Sequence, residues 1–137
     1  MINRMPLFTY GTLQDIEIQT ILFGKEILME KATLDNWRIY SDEEGYYFIA
    51  KEQESFVEGH IMYLSQEELL VADQWEEVPT YSRIMVVVKL AEGITCKSWA
   101  YVKDNKKGKP VINAQFSNRP RAEVIVEAKK IVIRDNA

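Results

Sequence analysis

The turn Tyr10-Gly11-Thr12-Leu13 constrains this chain more than any other stretch. It ends a short apolar run of strand formers, Met5 to Thr9. It leads at once into Gln14 to Phe23, where Ile18, Ile21 and Leu22 recur at helical spacing. The reading is strand, tight glycine turn, helix, with either Thr12 or Asp15 as the cap. The first helical turn has backbone N–H groups without partners inside the helix. With the helix dipole they offer a place for an anion such as a carboxylate. Corners of this kind are common and most bind nothing. This one lacks the further glycines of a dinucleotide loop and the lysine of a phosphate loop.

Composition narrows the partners. The chain has 137 residues, enough for a single domain over 1–137 with its own core. With 47% hydrophobic and 28% charged residues it reads as soluble and globular rather than disordered. A net charge of −4 argues against a nucleic-acid backbone as partner. No signal peptide or long apolar run is seen, so a cytoplasmic protein without a membrane partner is expected. The lone Cys96 permits no internal disulfide and reads as a core thiol. The lone His60 falls in a strand-like run and reads as structural. One histidine and one cysteine do not furnish a dedicated zinc site, so no metal is expected.

Further along, Phe23-Gly24-Lys25 reads as a helix stop. Residues 27–34 and Trp37 to Tyr40 read as two strands, and Ser41 to Gly45 as a polar turn. Tyr46 to Ala50 reads as a short aromatic strand, separated by a polar break at Lys51 to Ser55 from an alternating strand, Phe56 to Leu64. Gly59 inside that strand points to a bulge or a close backbone approach. Ser65-Gln66-Glu67-Glu68 is a capping box that opens a helix running to about Trp75, with Leu69 and Ala72 on its buried stripe. Pro79 ends the connection. Tyr81 to Leu90 is a long strand whose continuous apolar centre suggests burial on both faces. Lys97 to Val102 is a further strand, and Asp104 to Lys109 a charged turn. Asn118-Arg119-Pro120 reads as a helix start. Val124-Ile125-Val126 and Ile131-Val132-Ile133 look like strands, so a short helix or turn followed by a last strand is expected. These elements suggest an α+β domain, a small barrel-like sheet with helices at its side.

The second informative stretch is Asp73 to Arg83. It places acids at the end of a helix, then a turn, then Tyr81 and Arg83 on one face of a strand. A carboxylate at Glu76 meets the negative end of the helix dipole. Partial burial beside Trp75 and the like charge of Glu77 push its pKa in the same upward direction. That brings it toward the range useful for acid/base work near neutrality. The plainer reading makes Glu76 and Glu77 solvated helix-end residues paired with Arg83 or a lysine.

Phe8-Thr9-Tyr10-Gly11-Thr12-Leu13 resembles the Tyr-Gly-Thr/Ser-Leu signature of the gamma-glutamylcyclotransferase-like superfamily. Asp73-Gln74-Trp75-Glu76 with Tyr81-Ser82-Arg83 resembles that family's second signature. Val57-Glu58-Gly59 and Trp99-Ala100-Tyr101-Val102 look like two of its strands. The four motifs agree in order over residues 5–103, whereas residues 104–137 match none. The branch most resembled is that of short bacterial and archaeal members related to plant avirulence-induced proteins. The resemblance implies a small barrel of mixed parallel and antiparallel strands flanked by helices, with a cavity at the turn. It implies a substrate-binding loop of Tyr10, Gly11, Thr12 and Leu13, a catalytic Glu76, and Tyr46, Tyr81 and Arg83 lining the pocket. It also implies a small-molecule gamma-glutamyl substrate, cyclised to 5-oxoproline with release of its amine and without a cofactor. Two residues depart from the pattern: Tyr47 stands where the family often has proline, and Glu77 where it commonly has glycine. The alternative is a binding or regulatory domain that keeps the pocket without turnover.

Overall fold

The structure is a computed structural model that describes residues 4–77, 80–103, 107–112 and 117–135. The expected stop at Pro79 and the start of the charged turn at 104–106 lie outside the described residues.

Strand β1 (Met5–Thr9) is hydrogen-bonded on both edges. It runs antiparallel to β3 (Tyr47–Leu64) and parallel to β5 (Thr95–Lys103). Strand β3 also pairs with β2 (Met29–Ser41), β2 with β4 (Tyr81–Leu90), and β4 with β5, all antiparallel. Five strands therefore close into a barrel, and a two-residue strand β6 (Lys109–Pro110) extends the sheet beside β2. The barrel is mixed because the β1–β5 pair alone is parallel. Helices α1 (Ile16–Phe23), α2 (Gln66–Trp75) and α3 (Arg121–Asp135) pack on its flank. This is the small flanked barrel that the motifs imply.

The two faces of β1 feed two cores. Leu7 points to the helices, where it joins Met62, Leu64, Ile18, Leu69 and Ala72. Phe8 points into the barrel with Val57, Ile61, Val86, Val88 and Ala100. Both Leu7 and Phe8 are completely buried, so no solvated face exists along this strand. Gly59 is the close approach its position suggests: a Cβ there would stand 2.3 Å from the Thr9 carbonyl oxygen. The last residues of β1 thus reach the turn only because β3 offers them a bare backbone.

Local signals hold at the helix ends. Ser65 and Glu68 form both bonds of the capping box, at 3.1 and 2.8 Å. Gly24 ends α1 in the left-handed conformation, with φ 76°.

Five readings change. The two strands expected over 27–40 are one, β2, carried through Asn36 at a φ of 66°. The polar break at 51–55 lies inside the single strand β3. The register passes from Trp37↔Lys51 to Asp35↔Phe56, and Glu54 has a φ of 65°. Glu52 anchors this bulge by accepting from Arg38, Tyr40 and Ser55. Strand β4 is not buried on both faces: Val86 and Val88 are inside, but Met85 and Val87 are 49% and 57% exposed. The C-terminal segment is not a strand but the helix α3. Val124 and Ala128, one turn apart, are its buried stripe, while Arg121, Glu123, Lys129 and Lys130 are exposed. Pro120 precedes it, its carbonyl accepting from the amides of Glu123 and Val124. Cys96 is half-buried at the edge of the barrel core rather than within it.

Candidate active site

One end of the barrel holds a cavity of about 240 Å³. The turn after β1 forms one wall with Tyr10, Gly11 and Thr12, and the end of α2 forms another with Trp75, Glu76 and Glu77. Tyr81 of β4 and Tyr101 and Lys103 of β5 rise from the barrel rim. Tyr46, in the turn between β2 and β3, and Arg119 and Glu127 at α3 close the mouth.

The turn is a single 3-10 turn, Thr12–Gln14, followed by α1. Asp15 is the cap: its carboxylate accepts the Glu17 amide at 2.9 Å and pairs with Arg121 at 3.0 Å. The N-terminus of α1 is therefore already occupied by a carboxylate of the chain. The open amides are those of the turn: among the described residues, the N–H groups of Gly11 and Thr12 have no acceptor. Gly11 has a φ of −126°, so the turn does not depend on a positive φ there. The Thr12 hydroxyl accepts the Trp75 indole N–H at 2.8 Å and joins the turn directly to the helix that carries Glu76. Behind the turn, the Gln14 amide donates to the Gly11 carbonyl at 3.3 Å, and His60 Nδ1 bonds the Gln14 oxygen at 2.7 Å. Burial and then Lys31 hold the His60 pKa below its ordinary value.

Glu76 is the C-cap of α2, its amide bonded to the Ala72 carbonyl at 2.9 Å. Its carboxylate has no ion pair or hydrogen bond among the described residues. The residue is half-buried and lines the cavity. Burial, and then the charge of Glu77, lift its pKa from 4.5 to about 7.

Three cavity tyrosines, Tyr10, Tyr81 and Tyr101, feel the charge of this carboxylate. Tyr10 donates its hydroxyl to the Tyr101 carbonyl, and Tyr81 donates to the Tyr47 carbonyl, both at 2.8 Å. Burial first, and the Glu76 charge second, raise both phenols well above their ordinary range. The ring of Tyr46 lies under the Arg119 guanidinium, 4.5 Å from its centroid.

Two expected residues stand elsewhere. Leu13 is fully buried in the core beneath the helices, so it anchors the turn and does not face the cavity. Arg83 lies outside the cavity: its guanidinium grips Asp73 through Nε at 2.6 Å and Nη2 at 3.0 Å, and stacks on Trp99. Asp73 holds it by charge and fork geometry.

Sequence reasoning missed the residues beyond position 102. Lys103 reaches into the cavity and pairs with Asp42 at 2.9 Å, above the Tyr81 ring. Arg119 pairs with Glu127, with one bond at 2.7 Å. The segment carrying Arg119 is fastened by the Gly45 carbonyl, which accepts the Asn118 amide at 3.3 Å. A helical reading of 121–135 would have placed Glu127 near Arg119. No group of three or more potential metal-ligating side chains occurs among the described residues. Nor is any helix among them long and apolar enough to cross a membrane.

Residues 7–117 match the family model described as "Gamma-glutamyl cyclotransferase, AIG2-like". The chain belongs to this family. No curated protein matches it in sequence. Solved structures agree with the gamma-glutamyl cyclotransferase fold. A structure titled "Gamma-glutamyl cyclotransferase" superposes with a TM-score of 0.69 at 16% identity, over 93% of this chain and 79% of the other. An AIG2-like protein from Mus musculus gives 0.67 at 16% identity, over 88% and 93%. A solution structure from Arabidopsis thaliana gives 0.70 at 17% identity, over 98% and 89%. At such identities the likeness shows the fold.

Family membership gives the two departures a physical sense. Glu77, where the motif resemblance leads one to expect glycine, has a φ of 57°. This is the left-handed region that glycine enters freely and other residues enter at about 1–2 kcal/mol. The turn keeps the shape that glycine suits, and a carboxylate is placed beside Glu76. Replacing Glu77 by glycine should raise stability by about 1 kcal/mol. It should also lower the Glu76 pKa, because a like charge is lost. Urea unfolding and a carboxyl titration read the two effects. Tyr47, in place of proline, donates its hydroxyl to Asn118 Oδ1 at 3.2 Å, adding a second fastening for the segment that carries Arg119.

Proposed function

We propose that this chain is a gamma-glutamylcyclotransferase that converts a gamma-glutamyl amide of an amine or amino acid into 5-oxoproline and the free amine. The observation that supports this most is an unpaired carboxylate, Glu76, with a pKa raised to about 7, lining the same small cavity as Gly11 and Thr12, whose amides are open among the described residues.

In this reading the α-amine of the substrate attacks its own side-chain carbonyl carbon. A carbon–nitrogen bond closes a five-membered lactam, and the bond to the departing amine breaks. The nucleophile is built into the substrate, so the site must chiefly hold a folded conformation. It must also move a proton. An α-amine with a pKa of about 8 is mostly protonated at neutrality and cannot attack. Glu76 takes that proton and returns one to the departing nitrogen. A base with a pKa near 7 does both without a large mismatch. The amides of Gly11 and Thr12 hold the substrate carboxylate or the oxygen that gains charge during attack. The family model and the fold support the class of reaction; the position of Glu76 supports its role.

A panel of gamma-glutamyl amides, assayed for 5-oxoproline and free amine in equal amounts, tests this reading. Turnover should fall about tenfold per pH unit below an apparent pKa near 7, because only the ionised Glu76 accepts a proton. Binding of such amides with no product from any of them would leave a non-catalytic binding domain. An acid limb near 4.5 would reject Glu76 as a base raised by its surroundings.

A further inference from the structure

Arg83 carries a charge, lies two residues from a cavity-lining tyrosine, and still stays out of the cavity. The residue that keeps it out is Asp73, nearly one helical turn before Glu76 on α2. One Asp73 oxygen accepts both Arg83 Nε and the Tyr101 hydroxyl at 2.6 Å, and the other accepts Arg83 Nη2 at 3.0 Å. The Tyr101 carbonyl in turn accepts the Tyr10 hydroxyl at 2.8 Å. A single carboxylate thus links α2, β4 and β5. The pair is sheltered, with side-chain exposures of 25% and 17%, and the guanidinium lies 4.8 Å from the Trp99 ring centre. A bidentate fork on an aromatic face suits arginine and no other cation. Asp73 bonds the hydroxyl of Tyr101, and Tyr101 lines the same cavity as Glu76. Even so, burial and Glu77 account for the shift at Glu76. A closed ion pair presents little net charge to a neighbour; an opened one leaves a full charge beside it.

We propose that Asp73 is a positioning residue for Glu76. It retains the Arg83 guanidinium on Trp99, outside the cavity that Glu76 lines, and it holds the Tyr101 hydroxyl. The inference rests on the reading of Glu76 as the acid/base group, but its test does not require turnover. The other groups facing Glu76 are Glu77 on its own turn, Tyr10 after β1, Tyr81 on β4 and Tyr101 on β5. Farther round the cavity, Lys103 stays on Asp42 and Arg119 on Glu127, with Glu44 and Tyr46 at the rim. The substitutions below change none of these.

Asp73→Asn keeps an oxygen for Tyr101 and releases Arg83. Arg83→Gln leaves Asp73 without its cation. The double variant removes both charges. The Glu76 carboxyl is titrated by carbon NMR in each full-length protein, with an amide fingerprint as the check on folding. Asp73→Asn should lower the Glu76 pKa by about 1 unit. Arg83→Gln should raise it, and the double variant should return it to the wild-type value. Loosened packing alone would move all three in one direction. Should Asp73→Asn not fold, Arg83→Gln must still lie above the double variant. An unmoved Glu76 in a folded Asp73→Asn, or a fall in Arg83→Gln, overturns the proposal. A product assay on the same samples separates it from the reaction. The shifts without any 5-oxoproline from the wild type would keep the pair and reject the cyclotransferase. 5-Oxoproline with an unmoved Glu76 would do the reverse.

Discussion

Glu76→Gln should lose at least about 10²-fold in turnover while the protein stays folded. Glutamine matches the size of glutamate and forms hydrogen bonds, but it cannot take the proton of an attacking ammonium. The structure makes the substitution unusually clean. Glu76 pairs with no other side chain among the described residues, so its removal leaves no orphaned partner. Substrate affinity should change far less than turnover if, as proposed, the amides of Gly11 and Thr12 do most of the holding. Turnover and binding are measured separately, by steady-state product formation and by calorimetry with a substrate amide. A Glu76→Gln protein working at the wild-type rate would remove Glu76 from the mechanism even within the right family.

The same substitution should make the protein more stable above neutrality. Glu76 has a raised pKa, about 7 folded against an ordinary value of 4.5. The native state therefore binds the proton more tightly than the unfolded chain does. Between those two values the native protein holds more protons, so stability declines as pH rises through that window. Above about 7 the decline is complete and amounts to roughly 3–3.5 kcal/mol. Glutamine carries no such penalty. Urea midpoints at alkaline pH should favour Glu76→Gln by that amount, and the advantage should vanish below 4.5. A constant difference across the whole range would mean that Glu76 is not raised. Loss of activity with gain of stability marks a group held ionisable against its surroundings for a purpose.

How much of this was legible depended on how local the physics is. The glycine stop at Gly24, the Ser65–Glu68 box and the close approach at Gly59 are each decided within a few residues or by one missing side chain. The Tyr10-Gly11 turn and Glu76 were legible because their order and spacing are specific. The long strands β2 and β3 were read as broken because their bulges sit at Asn36 and Glu54, which give no glycine signature for a positive φ. Helix α3 was hidden by its β-branched residues; what decides it is burial of Val124 and Ala128 against the barrel's flank, a tertiary choice. With α3 misread, Arg119 and Glu127 could not be placed at the mouth, and Lys103 lay just past the last motif. Arg83 misled for a different reason. Its strand position was sound, but a charge goes to its best partner, and that partner was Asp73 outside the cavity.

The central claim is that the substrate's own amine, and not water, opens the gamma-glutamyl bond beside Glu76. Turnover of a gamma-glutamyl amide in water enriched in heavy oxygen tests it most directly. The lactam carbonyl keeps the oxygen it began with, so mass spectrometry should find unlabelled 5-oxoproline and one free amine for each. Glutamate carrying a heavy oxygen in its side-chain carboxylate would show that water is the nucleophile, and would contradict the account.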